Sequence, residues 1–138
     1  MEMAKIIYLS ELRTEATHIK SGKTIITDAP VDNNGKGSAF SPTDLLSTSL
    51  GCCMLTLIGI RSEKNNFDPG KISAKVYKTM GINPRRVTAL KIELFFEKTF
   101  AEDQRKIVED AALNCPVAKS IHPDINQDIS FSYGVTGN

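Results

Sequence analysis

Hydrophobic and polar positions change their period several times along this chain, and each change marks an element. Residues 45–60 carry no charge, and Leu46, Leu50, Cys53, Leu57 and Ile60 recur at steps of three and four. That is the spacing of one helical face. The remaining faces hold Leu45, Met54, Leu55 and Ile58, or the small Ser47, Thr48, Ser49 and Gly51. A helix apolar or small on every side is expected to be buried, with its small side admitting another backbone closely. Ser41 suits the N-cap, Pro42 the first helical position, and Asp44 completes an S-x-x-D form of the capping box. The apolar run falls short of the ~20 residues of a membrane span. A buried core helix is predicted, ending near Asn65-Asn66, before the turn Asp68-Pro69-Gly70.

Period two governs the next stretch. Ile72, Ala74 and Val76 oppose Ser73, Lys75 and Tyr77, while Leu90, Ile92, Leu94 and Phe96 oppose Lys91, Glu93 and Glu97. These are half-buried strands, and residues 81–86 between them predict an antiparallel pair with a longer loop. Ahead of the helix, residues 5–9 form a short apolar strand. Residues 14–20 and 24–28 flank Ser21-Gly22-Lys23 as a hairpin, and residues 30–38 read as a loop rich in turn formers. Beyond the strand pair, residues 101–113 return to helical spacing, with Ile107, Val108, Ala111 and Ala112 on the apolar side and acidic residues early, at the favourable dipole end. Asn114-Cys115-Pro116 interrupts this helix, and a short one over 117–121 follows with Cys115 near its N-cap. Residues 128–135 alternate Ile129, Phe131, Tyr133 and Val135 as a closing strand. The order is β-β-β-α-β-β-α-α-β. It lacks βαβ alternation and a Gly-rich phosphate loop, so the fold class is α+β.

Composition narrows the setting. The 138 residues fit one domain, 1–138, able to bury a core. A formal charge of +1 gives no electrostatic basis for binding nucleic acid or an anionic membrane. The opening Met-Glu-Met-Ala-Lys has neither the basic segment nor the apolar run of a signal peptide. The three cysteines are odd in number and form no CxxC pair. A reducing, cytoplasmic setting is therefore expected, with cysteines free or redox-active.

Candidate chemistry rests on those cysteines. A cysteine in an apolar helix is most often a small hydrophobe. Cys53 shares the leucine face and Cys52 is turned about 100° from it, so only one of them points at a given cleft. Cys115, at a break between helices beside a proline, is placed to be partly exposed near a helix N-terminus, a position that lowers a thiol pKa. Cys53 sits about three turns into its helix, beyond the terminal dipole, and needs a cation from elsewhere to become thiolate. His18 and His122 are far apart and no metal-ligand spacing is present, so no metal is expected. Arg85-Arg86 reads as a solvated loop pair, with anion binding the sharper alternative. The residues by themselves support an intracellular α+β domain with a candidate two-cysteine redox site.

The segments Gly37-Ser38-Ala39-Phe40-Ser41-Pro42-Thr43-Asp44-Leu45-Leu46, Gly51-Cys52-Cys53 and Asn114-Cys115-Pro116-Val117 resemble the OsmC/Ohr family of osmotically induced and organic hydroperoxide resistance proteins. The similarity extends to the element order over nearly the whole chain. It implies an OsmC-like fold of antiparallel sheets around a long buried central helix, in an intertwined homodimer whose cysteine helices pack together at the centre. It also implies a thiol peroxidase acting on organic hydroperoxides in the oxidative stress response, without a cofactor. In that scheme Cys53 takes the peroxide-attacking position, eleven residues after the helix-opening proline. Cys115 is the resolving cysteine, Cys52 is packing, and a dithiol reductant reopens the disulfide.

Two positions depart from the pattern. Active members carry a glutamate immediately after the proline, orienting an arginine toward the thiolate; here that residue is Thr43. Asp44, one residue on, points about 100° away. Arg13, from the N-terminal strand region, is the candidate thiolate-stabilising residue, and a surface arginine at a strand edge is its plainer reading. The retained Cys53 and Cys115 favour the peroxidase. Thr43 favours a second reading, a dimeric small-molecule-binding protein of the same fold with weak or no peroxidase activity.

Overall fold

Where the capping residues stand, the chain turns into its longest helix. In the computed structural model, which describes all residues from Met1 to Asn138, the Ser41 N–H donates to Asp44 Oδ2 at 2.9 Å and the Asp44 N–H to Ser41 Oγ at 3.0 Å. This reciprocal capping box opens α1, Pro42–Lys64. The chain divides into two compact units, Met1–Leu46 and Ser47–Asn138.

The first unit is a three-stranded antiparallel sheet of β1 (Ala4–Ser10), β2 (Arg13–His18) and β3 (Thr24–Asp28), in that order. The predicted strand over 14–20 starts one residue earlier and stops at His18. There the His18 N–H donates to the Lys23 carbonyl and the Gly22 N–H to the His18 carbonyl, both at 2.8 Å, with Gly22 at a left-handed φ of 71°. The turn between β1 and β2 contains no glycine. Ser10, Glu11 and Leu12 hold φ of 72°, 53° and 64°, a conformation that costs L-residues on the order of 1 kcal/mol each. The turn is tied down by the Ala29 N–H to the Leu12 carbonyl (3.0 Å) and by a Lys36–Glu11 ion pair (2.7 Å). A 3₁₀ turn at Val31–Asn33 leads toward α1. No hydrophobic residue of this unit is buried; its buried residues are Thr27, Asp28 and Ser41.

The second unit holds the hydrophobic core. Its sheet is ordered β4 (Ile72–Gly81), β5 (Arg86–Phe96), β6 (Asn126–Tyr133). β4 and β5 pair antiparallel, as their alternation predicts, but β6 joins β5 in parallel. Two helices, α2 (Glu102–Leu113) and α3 (Pro116–Ser120), intervene and return the chain to the starting end of the sheet. The sheet is thus not wholly antiparallel. Leu50, Met54, Ile58, Leu90, Ile92, Leu94, Phe96, Val108 and Ala112 are fully buried together. Phe96 stacks on Tyr133 with ring centroids 4.9 Å apart, and the Tyr133 hydroxyl donates to Glu109 Oε2 at 2.6 Å, fastening β6 to β5 and α2. Gly134, at φ 70°, ends the last strand, so Val135 lies outside it and is exposed.

The buried face of α1 differs from the one its leucine spacing predicts. Ser47, Leu50, Gly51, Met54, Ile58 and Ser62 are buried, whereas Leu46 and Ile60 are 40% and 42% exposed. With so many apolar candidates, the choice of face falls to close approach. A Cβ at Gly51 would meet Val76 Cγ2 at 3.1 Å, so the helix presents its small side to β4. Burial is therefore one-sided. By length and composition α1 is long enough to cross a membrane, but Leu50, Met54 and Ile58 are spent on the protein's own core. Truncating Met54 to alanine is expected to cost about 2–5 kcal/mol, read as a lower midpoint with unchanged slope in urea unfolding.

Candidate active site

The end of α2 and the start of α3 place one thiol in the interior. Asn114 closes α2, its N–H bonded to the Asp110 carbonyl at 3.1 Å. Pro116, which has no N–H to give, takes the first position of α3. Cys115 between them is extended (φ −67°, ψ 152°) and is the N-cap of α3, its Sγ accepting from the Ala118 N–H at 3.4 Å. This geometry turns Sγ inward, and Cys115 is fully buried rather than partly exposed.

Cys53, in the body of α1, is half-buried and packs against the core, and its thiol lies beside that of Cys115. Cys52, about 100° round the helix, is exposed. All three thiols are free. Burial pushes the Cys115 thiol up from its ordinary pKa; the neighbouring Cys53 adds to the rise, and the N–H groups of Ala118 and Val117 oppose it without prevailing. The lowered pKa expected from a helix N-terminus is thus reversed. A five-residue helix supplies little dipole, and full desolvation of the thiol outweighs two backbone donors. The arrangement sets a half-buried cysteine beside a fully buried one whose thiol is held protonated.

Arg13 belongs to the first unit, where it is no loose surface cation. It faces Asp28 across the β2–β3 pair. Its Nε donates to Asp28 Oδ1 at 2.8 Å, and its Nη2 to Asp28 Oδ2 at 2.9 Å and Ser38 Oγ at 3.1 Å. The Arg13 guanidinium, followed by Ser38, holds the Asp28 carboxyl far below the usual carboxylate range, so it is ionised throughout the physiological span. Thr43, half-buried in the first turn of α1, has its hydroxyl 3.2 Å from Ser41 Oγ. Asp28 and Ser38 escaped sequence reasoning. The turn signal at residues 21–23 implies a pairing centred on Gly22, whereas the observed register, Thr17 with Thr24, sets Arg13 opposite Asp28. Only the register reveals the pair.

The histidines are bound locally: His18 Nδ1 lies 2.7 Å from Ser21 Oγ, and His122 Nδ1 accepts from the Asp124 N–H at 3.0 Å. No cluster of three or more His, Cys, Asp or Glu side chains forms a metal site.

A family model described as OsmC-like protein matches residues 35–130. Among solved structures, the chain is similar to a Psychrobacter arcticus 273-4 protein named for osmotic stress induction and detoxification response, at 50% identity and a TM-score of 0.91, with 95% of this chain and 96% of that one covered. It also shares its fold with an organic hydroperoxide resistance protein OsmC from Legionella pneumophila (15% identity, TM-score 0.75, 96% of both chains). A third is an organic hydroperoxide resistance protein from Elizabethkingia anophelis (11% identity, TM-score 0.72, 96% of this chain and 97% of that one). Among curated proteins, none matches.

Burial and the raised pKa act on Cys115 reactivity with the same sign. At pH 8, iodoacetamide is expected to modify Cys115 at least roughly tenfold more slowly in the native protein than in the urea-unfolded chain, followed by mass spectrometry of the peptide containing Cys115. Equal rates would mean that the thiol is not shielded.

Proposed function

The chain belongs to the OsmC-like protein family, and on that premise we propose that it is a thiol-dependent peroxidase reducing organic hydroperoxides in the oxidative stress response. The observation that carries the reading is the pair of adjoining thiols, Cys53 half-buried and Cys115 fully buried behind the surface. Structures that share the fold and are named as organic hydroperoxide resistance proteins support it.

In the proposed cycle the Cys53 thiolate attacks the O–O bond of the hydroperoxide. A sulfur–oxygen bond forms, the O–O bond breaks, and the departing alkoxide takes a proton to leave as alcohol. Cys53 is now a sulfenic acid. The Cys115 sulfur then displaces its hydroxyl, which leaves as water with the Cys115 proton, and a Cys53–Cys115 disulfide remains. A dithiol reductant opens it by exchange, restoring both thiols and becoming a disulfide itself. The buried, protonated state of Cys115 suits the second step, since a shielded thiol does not compete for peroxide. Family resemblance, rather than any contact in the structure, proposes Arg13 as the cation for the Cys53 thiolate. The apolar surroundings of Cys53 suit a hydroperoxide with an organic tail.

The functional form is a cytoplasmic, intertwined homodimer of one OsmC-like domain per chain. The first unit supports this assembly: its sheet buries no hydrophobic residue, yet Ile6, Tyr8 and Ile25 are 68%, 64% and 52% exposed. A three-stranded sheet with such a face needs a covering surface. Thr43 favours the second reading, a dimeric binding protein with little peroxidase activity, because it offers no carboxylate where active members of the resembled family have one.

With cumene hydroperoxide and dithiothreitol, Cys53→Ser is expected to abolish peroxide consumption. Without dithiol, Cys115→Ser should consume one equivalent of hydroperoxide and stop at the sulfenic acid, trapped by dimedone, where the wild type forms the disulfide. Wild type no faster than free cysteine would discard the peroxidase and leave the binding protein. Sedimentation equilibrium is expected to give twice the chain mass of 15.1 kDa; a monomer at micromolar concentration would refute the assembly.

A further inference from the structure

Along β6 the half-buried positions Gln127, Ile129, Phe131 and Tyr133 share one side of the strand, as its period of two requires. Ile129, Phe131 and Tyr133 pack against the hydrophobic core, and the fourth residue on that side is a glutamine. Its side chain crosses to α3, where Nε2 donates to the Ala118 carbonyl at 3.0 Å. Ala118 is also the residue whose N–H donates to Cys115 Sγ at 3.4 Å. A single residue therefore joins the glutamine to the buried thiol, by its carbonyl on one side and its N–H on the other. α3 has little of its own to hold it. At five residues it is far below the length at which a helix persists unaided. The carbonyls of Cys115, Pro116 and Val117 are met from within, by the Lys119 N–H, the Ser120 hydroxyl and the Ile121 N–H. That of Ala118 is met from outside, by Gln127.

We propose that Gln127 is a positioning residue for Cys115, anchoring α3 to β6 through Ala118 so that the Cys115 sulfur stays enclosed beside Cys53. Its part in the cycle rests on the peroxidase reading. A resolving thiol must be shielded from peroxide, yet close enough to Cys53 to displace the hydroxyl of a sulfenic acid. Both demands fall on where α3 sits. Ala118 is buried, so removing Gln127 leaves its carbonyl without a donor. Opening α3 toward water then becomes easier than keeping it packed. That opening carries the Ala118 N–H and the Cys115 sulfur away from Cys53. A glutamine that only stabilises the domain predicts something else. Its loss would make the whole chain easier to unfold and leave the thiol pair of the folded protein unaltered.

The test uses the full chain carrying Cys52→Ser, which leaves Cys53 and Cys115. The pair is equilibrated in glutathione buffers, where glutathione disulfide takes two electrons and two protons from the thiols and becomes two glutathiones. The bridged fraction is read by mass spectrometry after acid quenching. Gln127→Leu is expected to shift this equilibrium about fivefold toward the dithiol, the effect of one lost hydrogen bond. Native-state modification of Cys115 by iodoacetamide should speed up by about the same factor. Gln127→Glu keeps the size but has no donor once ionised, and should match the leucine variant at pH 8. Gln127→Lys, which returns a donor, should recover part of the loss. Urea unfolding gives the global stability of each variant. A lower urea midpoint with both thiol readouts unmoved would reduce Gln127 to a stabilising contact and overturn the proposal. So would a shift toward the disulfide, since the anchor would then be holding the thiols apart. If the variants fold poorly by circular dichroism, amide hydrogen exchange of the reduced wild type decides. The Ala118 N–H is expected to exchange at least roughly tenfold more slowly than in a free peptide; exchange at the free-peptide rate would overturn the anchor. None of these readouts needs turnover. A wild type that consumes no hydroperoxide would remove the peroxidase reading and leave the anchor to be judged on its own.

Discussion

The close approach of α1 to β4 at Gly51 governs where the thiols of the second unit stand. A helix with apolar or small residues on every side has no preferred face on hydrophobicity alone, so steric fit decides. Gly51 lets Val76 come within 3.1 Å of where a Cβ would stand, and Ser47, Leu50, Met54, Ile58 and Ser62 then turn inward with it. With that rotation fixed, helical geometry leaves no freedom to the cysteines. Cys53 lies about 200° round from Gly51 and Cys52 about 100°, so neither faces the sheet. Cys53 is half-covered and meets Cys115; Cys52 is left exposed.

Burial then distinguishes the two neighbouring thiols. Cys115 is held by a backbone break that combines the end of α2, an extended residue and Pro116, and its sulfur is fully enclosed. Desolvation favours the neutral thiol, and the Ala118 N–H is too weak a counterweight. In the proposed cycle, a thiol kept protonated and out of reach is a poor first nucleophile and suits the second step. Its half-buried neighbour is Cys53. The asymmetry thus arises from two local structures, a helix rotation and a helix break, without any metal cluster.

Much of this was legible in the sequence, for definable reasons. The order of strands and helices follows from periodicity, which is a local property, and the α1 capping box from three residues in one turn. The turn at Ser10, Glu11 and Leu12 carries no glycine or proline to announce it, because its left-handed residues are stabilised by distant partners, Ala29 and Lys36. The buried face of α1 depends on Val76 of another element. The Arg13–Asp28 pair depends on strand register, and a shift of one residue would send the two side chains to opposite faces. The Cys53–Cys115 pairing was suggested by family resemblance; spacing along the chain could not have shown that two thiols some sixty positions apart lie side by side.

Cys52 raises the question of which thiol a sulfenic acid at Cys53 would meet. Its nearness in sequence is misleading. Neighbouring Cα atoms are about 3.8 Å apart, below the roughly 4.4 Å lower end for disulfides, and in a helix successive side chains diverge by about 100°. Joining Cys52 to Cys53 would require unwinding α1 near its middle, where Leu50, Gly51 and Met54 are locked in the core. Cys115 carries no such penalty, because it approaches from a separate element at a point where the backbone is already non-helical. In the proposed cycle, the packing that places Cys53 therefore also favours Cys115 as its partner over the exposed thiol beside it in the same helix.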